Sequence, residues 1–291
     1  FGNMILNHSS RHLNANTYLK MMSHTAAVNV GVFFGLKGRV IPTSSACTSG
    51  SQGIGFSYET IKYGHQDMMV AGGAEELCPT EAAVFDTLFA TSTRNHEPDL
   101  TPRPFDQDRD GLVIGEGAAT LILEEREHAI RRGAPIYAEI LGFGSNSDGS
   151  HVTQPQEDTM YRAMEIALQE SELAPQSIGY VSAHGTGTDR GDIAESHATN
   201  RLLGKSIPIS SLKSFTGHTL GACGALEAVV AINMMNEGWF HGTANLCNVD
   251  SNCAELDYLG SGGKKIDTNC IMSNNFAFGG INTSLVFSKG Q

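Results

Sequence analysis

The sequence is short of positive charge. Its 291 residues hold 19 lysines and arginines against 31 aspartates and glutamates, a formal net charge of −12. No Lys/Arg stripe exists to neutralise phosphates, which excludes a nucleic-acid binder. An acidic protein partner would therefore need a local patch of cations. The six cysteines, at 47, 78, 223, 247, 253 and 270, form no CxxC pair, and no Cys/His cluster has zinc-ligand spacing. Neither a structural metal nor a disulfide framework is expected. No apolar run reaches spanning length; even Ala225–Met235 is too short and carries Glu227. With no signal-peptide pattern either, free thiols in a reducing cytoplasm are expected, away from any membrane. An initiator methionine is also missing, since the chain opens Phe1-Gly2-Asn3-Met4.

Glycine, by contrast, is abundant at 33 residues, a composition for tight turns and close backbone approaches. Small and apolar residues at helical spacing predict a helix over Tyr18–Phe34, and Arg39–Thr43 reads as a β-branched strand. Gln52–Tyr63 reads as a helix closed by Gly64, and Asp67–Gly72 and Ala118–Leu123 as strands, with a Pro- and Asp-rich loop over Arg94–Asp110. The second half predicts strands at Tyr137–Gly142, Ile178–Ala183, Ile207–Lys213, Cys270–Ser273 and Ser284–Ser288, the last two around a loop Asn274–Asn282. Helices are predicted over Thr159–Glu172, Ile193–Leu203 and Gly224–Glu237. This alternation argues for an α/β fold with mostly parallel strands. Val40–Gly64 and Ile207–Gly238 both run strand, small-residue turn, helix, which suggests a duplicated fold.

Three of the strand-end turns carry chemistry. Cys47 precedes a helix whose start is loaded with Ser49, Gly50, Ser51 and Gly53. The positive end of that helix is expected to lower the thiol pKa, and its free N–H groups can hold an oxyanion. A buried cysteine packed as a small hydrophobe is the alternative, and the other five cysteines read that way. His184, in Ala183-His184-Gly185-Thr186-Gly187-Thr188, follows an apolar strand at the edge where open α/β sheets place ligands. A loop histidine bonded to backbone is the alternative. His218 lies in a Gly-rich turn after Lys213, and Gly217, Gly221 and Gly224 fit neither the P-loop nor the dinucleotide spacing. Lys213 and Glu227 are candidate buried charges. One thiol and two imidazoles on such turns suit acyl-thioester chemistry: the thiolate accepts an acyl group and the imidazoles stabilise a thioester enolate.

These segments, with Ser45–Gly50, Pro104-Phe105-Asp106 through Gly111, Lys213–Gly221 and Asn275–Gly280, resemble the ketosynthases of fatty-acid synthesis of the Cys–His–His type. The resemblance spans nearly the whole chain. It implies a thiolase-like, five-layered α-β-α-β-α fold of two related halves, here 1–134 with the nucleophile and 135–291 with both histidines, and a homodimer. It implies an acyltransferase, a β-ketoacyl-acyl-carrier-protein synthase, that condenses an acyl-enzyme thioester with malonyl-loaded carrier. Cys47 would take the acyl chain. His184 and His218 would bind the malonyl carbonyl and stabilise the enolate, with Lys213 and Glu227 setting the electrostatics. Thr186, Thr188 and Thr153 would bind the pantetheine arm. Phe278 would sit on a gating loop, its N–H joining that of Cys47 in an oxyanion hole, and Phe276 would line the site. No metal or organic cofactor is needed, since the phosphopantetheine belongs to acyl carrier protein, the partner, for which Arg11 and Lys20 are docking candidates. Asn275-Phe276-Ala277 stands where the family has Ser-Phe-Gly, and Ile281 where Thr is common. The family also begins with strands that this sequence lacks, so the N-terminal sheet is expected to be deficient and the chain part of a longer protein. A polyketide or aryl-polyene ketosynthase, or a non-catalytic partner subunit, would share much of this pattern.

Overall fold

The computed structural model describes residues 2–11 and 13–290. It divides into two compact units, Phe1–Ser44 and Ser45–Gln291. The first holds short helices α1 (Gly2–Asn7), α2 (Ala15–Leu19) and α3 (Thr25–Phe34). The single helix expected over 18–34 is therefore broken, with the Thr25 hydroxyl turned back onto the Leu19 carbonyl. Residues 39–43, expected as a strand, join no sheet among the described residues.

In the second unit the chain runs α4 (Ser49–Lys62), β1 (Met68–Glu75), α5 (Pro79–Thr87), β2 (Gly117–Glu124), α6 (Arg126–Arg131), β3 (Ala138–Ser147) and α7 (Glu157–Glu170). It continues through β4 (Val181–Ser182), α8 (Asp189–Leu203), β5 (Pro208–Ser210), α9 (Lys213–Thr216) and α10 (Cys223–Glu237). Then come β6 (Trp239–Phe240), β7 (Asp257–Tyr258), β8 (Lys264–Lys265), β9 (Cys270–Ala277) and β10 (Ile281–Lys289). One six-stranded sheet has the order β3-β10-β9-β4-β5-β7, while β1 and β2 form only a two-stranded antiparallel pair. The sheets are mixed rather than mostly parallel: β4 pairs in parallel with β5 and β9, but β10 runs antiparallel to both β3 and β9. The small first sheet agrees with the N-terminal deficiency expected from the sequence.

The predicted loop 274–282 is instead a hairpin with a turn at 278–280. Its polar residues concealed the strands. Asn274 Oδ1 accepts from the Ser284 hydroxyl at 2.8 Å, and Thr283 and Ser51 share a hydroxyl bond at 2.7 Å, so the sheet interior is polar and largely paired, while Ser273 Oγ and Asn275 Oδ1 find no partner among the described residues. Above β3, helix α7 lies close because Gly142 and Gly144 carry no side chain. A Cβ at either would come within about 2.1 Å of the Ala167 or 2.0 Å of the Ala163 carbonyl oxygen. The core on one side of the large sheet gathers Met160, Met164, Ile209 and Met272; on the other it gathers Ile54, Phe143, Met235 and Ile271.

Helices α4 and α10 share the turn-and-helix part of the expected echo, while the strand expected before α4 is not formed. Each follows a 3₁₀ turn, Ala46–Thr48 and Leu220–Ala222, whose first residue is a non-glycine in the left-handed region, φ 51° at Ala46 and 44° at Leu220. Their N-termini meet through Gly50 and Gly224, where a Cβ would come 2.8 Å from the Ala225 nitrogen and 2.7 Å from the Ser51 nitrogen. Both positive helix ends thus converge on one place.

Candidate active site

That place holds the expected residues. Cys47 is buried in the turn before α4, and its Sγ lies 3.0 Å from His218 Nε2. The strained φ of Ala46 turns the chain so that the thiol meets the imidazole across 171 residues of sequence. Burial pushes the Cys47 thiol up to about 11, against the opposing pull of Lys213 and of the Phe278 and Cys47 N–H groups. The lowered pKa expected from the helix end is therefore corrected: desolvation of the thiolate outweighs the dipole. Cys78 is the opposite case, partly exposed, its pKa lowered by the Thr80 hydroxyl and N–H. Iodoacetamide should consequently modify Cys78 and the exposed Cys247 before Cys47. Cys47 labelling, followed by peptide mass mapping, should rise about tenfold per pH unit between about pH 7 and 10; a plateau near pH 8 would contradict the raised pKa.

The two imidazoles are fixed in one tautomer by what their other nitrogens meet. His184 Nδ1 faces Lys213 Nζ at 3.2 Å and Asn275 Nδ2 at 3.5 Å, both donors. His218 Nδ1 accepts the Leu220 N–H at 3.2 Å. Each ring must therefore carry its proton on Nε2. Burial and the nearby Lys213 charge hold both pKa values well below the usual histidine range, so both rings are neutral N–H donors. Their centroids are 5.2 Å apart at 84°.

Lys213, the first residue of α9, is buried beside Glu227 of α10, with Nζ 2.5 Å from Oε1. Burial opposes the lysine charge, yet Cys223 and Glu227 hold its pKa above the usual value. Glu227 Oε2 accepts from Asn275 Nδ2 at 2.7 Å. Asn275 thus ties His184 to Glu227, a contact the sequence reading missed, noting Asn275 only as a departure from the family pattern. Two further acids were missed. Glu195 takes the His184 and Gly185 N–H groups at 2.8 and 2.7 Å, and Asp192 takes those of Thr186 and Gly187 at 3.0 and 3.2 Å. Burial pushes Glu195 up to about 8 and Asp192 up to about 6, against these same N–H groups. The available signal was their spacing on α8, where Asp192, Glu195, Ser196 and Thr199 form one buried helical face.

A cavity of about 340 Å³ opens onto Cys47, His184 and His218. Phe276 is buried against His184, ring centroids 6.1 Å apart, and Phe278 stacks on Phe85 at 5.3 Å. The Phe278 N–H faces the Cys47 sulfur. The turn bearing Phe278 is bonded to the segment before Thr153: Gly279 N–H donates to the Val152 carbonyl at 2.9 Å, and Asp148 N–H to that of Gly280 at 2.8 Å. Thr186, Thr188 and Thr153 line the same cavity, with the Thr186 and Thr188 hydroxyls 2.9 Å apart. Arg11 and Lys20 are exposed residues of the Phe1–Ser44 unit. The donor atoms of Cys47, His184 and His218 also lie within 4.8 Å of one another, close enough to hold a metal. The Lys213 charge directly behind His184 is unfavourable to a cation there.

The family description "Beta-ketoacyl synthase, N-terminal domain" matches residues 3–129 and "Beta-ketoacyl synthase, C-terminal domain" residues 137–247. A 3-oxoacyl-[acyl-carrier-protein] synthase 2 of Vibrio cholerae is 43% identical over 271 residues, spanning 90% of this chain and 65% of that relative. A crystal structure of a beta-ketoacyl synthase from Burkholderia phymatum STM815 is 61% identical with a TM-score of 0.98, over 100% of this chain and 71% of the other. A type II polyketide synthase acyl-carrier protein in complex with its ketosynthase, bound to the hexaketide, is 36% identical with a TM-score of 0.92, over 96% and 70%. The chain thus spans about two thirds of the length of its relatives.

Proposed function

Because this chain belongs to the β-ketoacyl synthase family, we propose that it joins acyl units by decarboxylative Claisen condensation, with Cys47 as the acyl-carrying nucleophile. The observation that carries this reading is the Cys47–His218 contact at 3.0 Å with two Nε2–H donors opening into one cavity. Cys47 sulfur attacks the acyl thioester carbonyl, and the Cys47 and Phe278 N–H groups receive the developing oxyanion. The carrier thiol departs with the proton, leaving the acyl group on Cys47. A malonyl thioester then places its carbonyl oxygen between His184 and His218. The bond to its carboxylate breaks, carbon dioxide leaves, and the electron pair becomes an enolate held by both N–H groups. Its carbon attacks the acyl-Cys47 carbonyl, the C–S bond breaks, and the 3-oxoacyl thioester departs from a regenerated thiolate.

Lys213 and Glu227 act through His184, fixing its tautomer. Thr186, Thr188 and Thr153 bind the pantetheine arm, and acyl carrier protein is the partner this requires. Fatty-acid elongation is the pathway we favour, supported by the identity with the Vibrio synthase; a homodimer is the assembly the family implies. Full-length protein given acyl- and malonyl-carrier should yield 3-oxoacyl product and carbon dioxide in equal amounts. His218→Ala should lower decarboxylation by about a hundredfold or more, the size of effect for one lost oxyanion donor. Undiminished carbon dioxide release by that variant would overturn the role of the histidines.

A further inference from the structure

Every second residue from His184 onward leads outward. His184 is 6% exposed, Thr186 8%, Thr188 half-buried and Arg190 exposed, and all four line the cavity. Between them, Gly185 and Gly187 back onto the protein wall: a Cβ at 185 would come 2.7 Å from the Ser211 Cβ, and one at 187 would come 3.0 Å from the Gly111 carbonyl oxygen. The loop therefore offers one imidazole, two hydroxyls and one guanidinium in order from the thiol to solvent.

The charges around the cavity are settled except at its mouth. Asp189 pairs with Arg109 at 3.3 Å, Asp148 accepts from Asn282 at 2.7 Å, and Asp192 and Glu195 are satisfied by backbone N–H groups. Arg190 is the one Lys or Arg lining the cavity, and no hydrogen bond or ion pair occupies its guanidinium among the described residues. An unpartnered guanidinium presents a planar fork suited to a phosphate.

We propose that Arg190 binds the phosphodiester at the outer end of the pantetheine arm, a role that rests on the proposed carrier-linked reaction. A linear arm with its thioester at His184 and its amides beside Thr186 and Thr188 puts its phosphate next in line. In a chain of net charge −12 this local cation offsets the repulsion felt by an acidic carrier.

The test compares binding of 4′-phosphopantetheine and pantetheine to the full chain by calorimetry, for the natural protein, Arg190→Ala and Arg190→Lys. The phosphorylated ligand should bind about tenfold more tightly at low salt, and the advantage should shrink as salt is added. It should fall close to one in Arg190→Ala and be kept in part by Arg190→Lys. Equal affinities in the natural protein, or an advantage that survives Arg190→Ala, would overturn the assignment. So would an Arg190 effect seen only with whole carrier protein, which would point to acidic side chains instead. Binding requires no turnover, so failure of the condensation reaction and failure of this contact are read separately.

Discussion

Cys47→Ala is expected to abolish acyl transfer and condensation, by about a thousandfold or more, while malonyl decarboxylation survives. The two halves of the chemistry use different atoms. Acylation needs the sulfur, for which alanine offers no substitute. Decarboxylation needs the two Nε2–H donors, whose tautomers are set by Lys213, Asn275 and the Leu220 N–H, none of which Cys47 supplies. Intact mass of the acyl-enzyme and carbon dioxide release from malonyl-carrier measure the two separately. Loss of both activities in equal measure would show that the sulfur is needed to seat the malonyl group, and the division of roles would fail.

Lys213→Ala should be the most damaging change to the structure, lowering stability by about 3–5 kcal/mol, because Glu227 is left as an uncompensated buried charge. Replacing both, Lys213→Met with Glu227→Leu, removes the stranded charge and should recover most of that loss. Decarboxylation should not recover. Without the ammonium, only the longer 3.5 Å contact from Asn275 still faces Nδ1, so the His184 proton can settle there and Nε2 then turns a lone pair toward the enolate. Urea unfolding midpoints and decarboxylation rates for the single and double variants check this. A double variant that regains both stability and decarboxylation would show that the lysine serves only to neutralise Glu227.

The positions of Cys47, both histidines, Lys213 and Glu227 in one cluster were legible because each stands at a fixed point of a turn or helix whose pattern is local. The helices over 52–63, 159–172, 193–203 and 224–237 were legible for the same reason, agreeing with α4, α7, α8 and α10 to within a few residues. What was hidden depends on contacts far apart in sequence. The β9–β10 hairpin buries asparagine, serine and threonine, some bonded across the two strands and others to neighbouring elements, so no apolar run announces it. Strand β4 begins three residues later than expected, at Val181, and β5 ends at Ser210, three residues before Lys213, where α9 begins. The thiol pKa went the wrong way because a helix end is visible in sequence and the depth of burial around it is not. Asn275 gave its identity but not its partners, which come from the turn after β4 and from α10.

The turn at 278–280 couples two things that lie apart along the chain. Gly279 and Gly280 give it positive φ angles of 92° and 72°, and the strands below it pair without interruption from Ile281–Ala277 down to Ser288–Cys270. The hairpin is thus an unbroken ladder closed by a three-residue turn. That turn is bonded to the 148–152 segment on one side and presents the Phe278 amide to Cys47 on the other, so it clasps the two together. The cavity wall that carries Thr153 and the amide that faces the sulfur are therefore held by a single fastening.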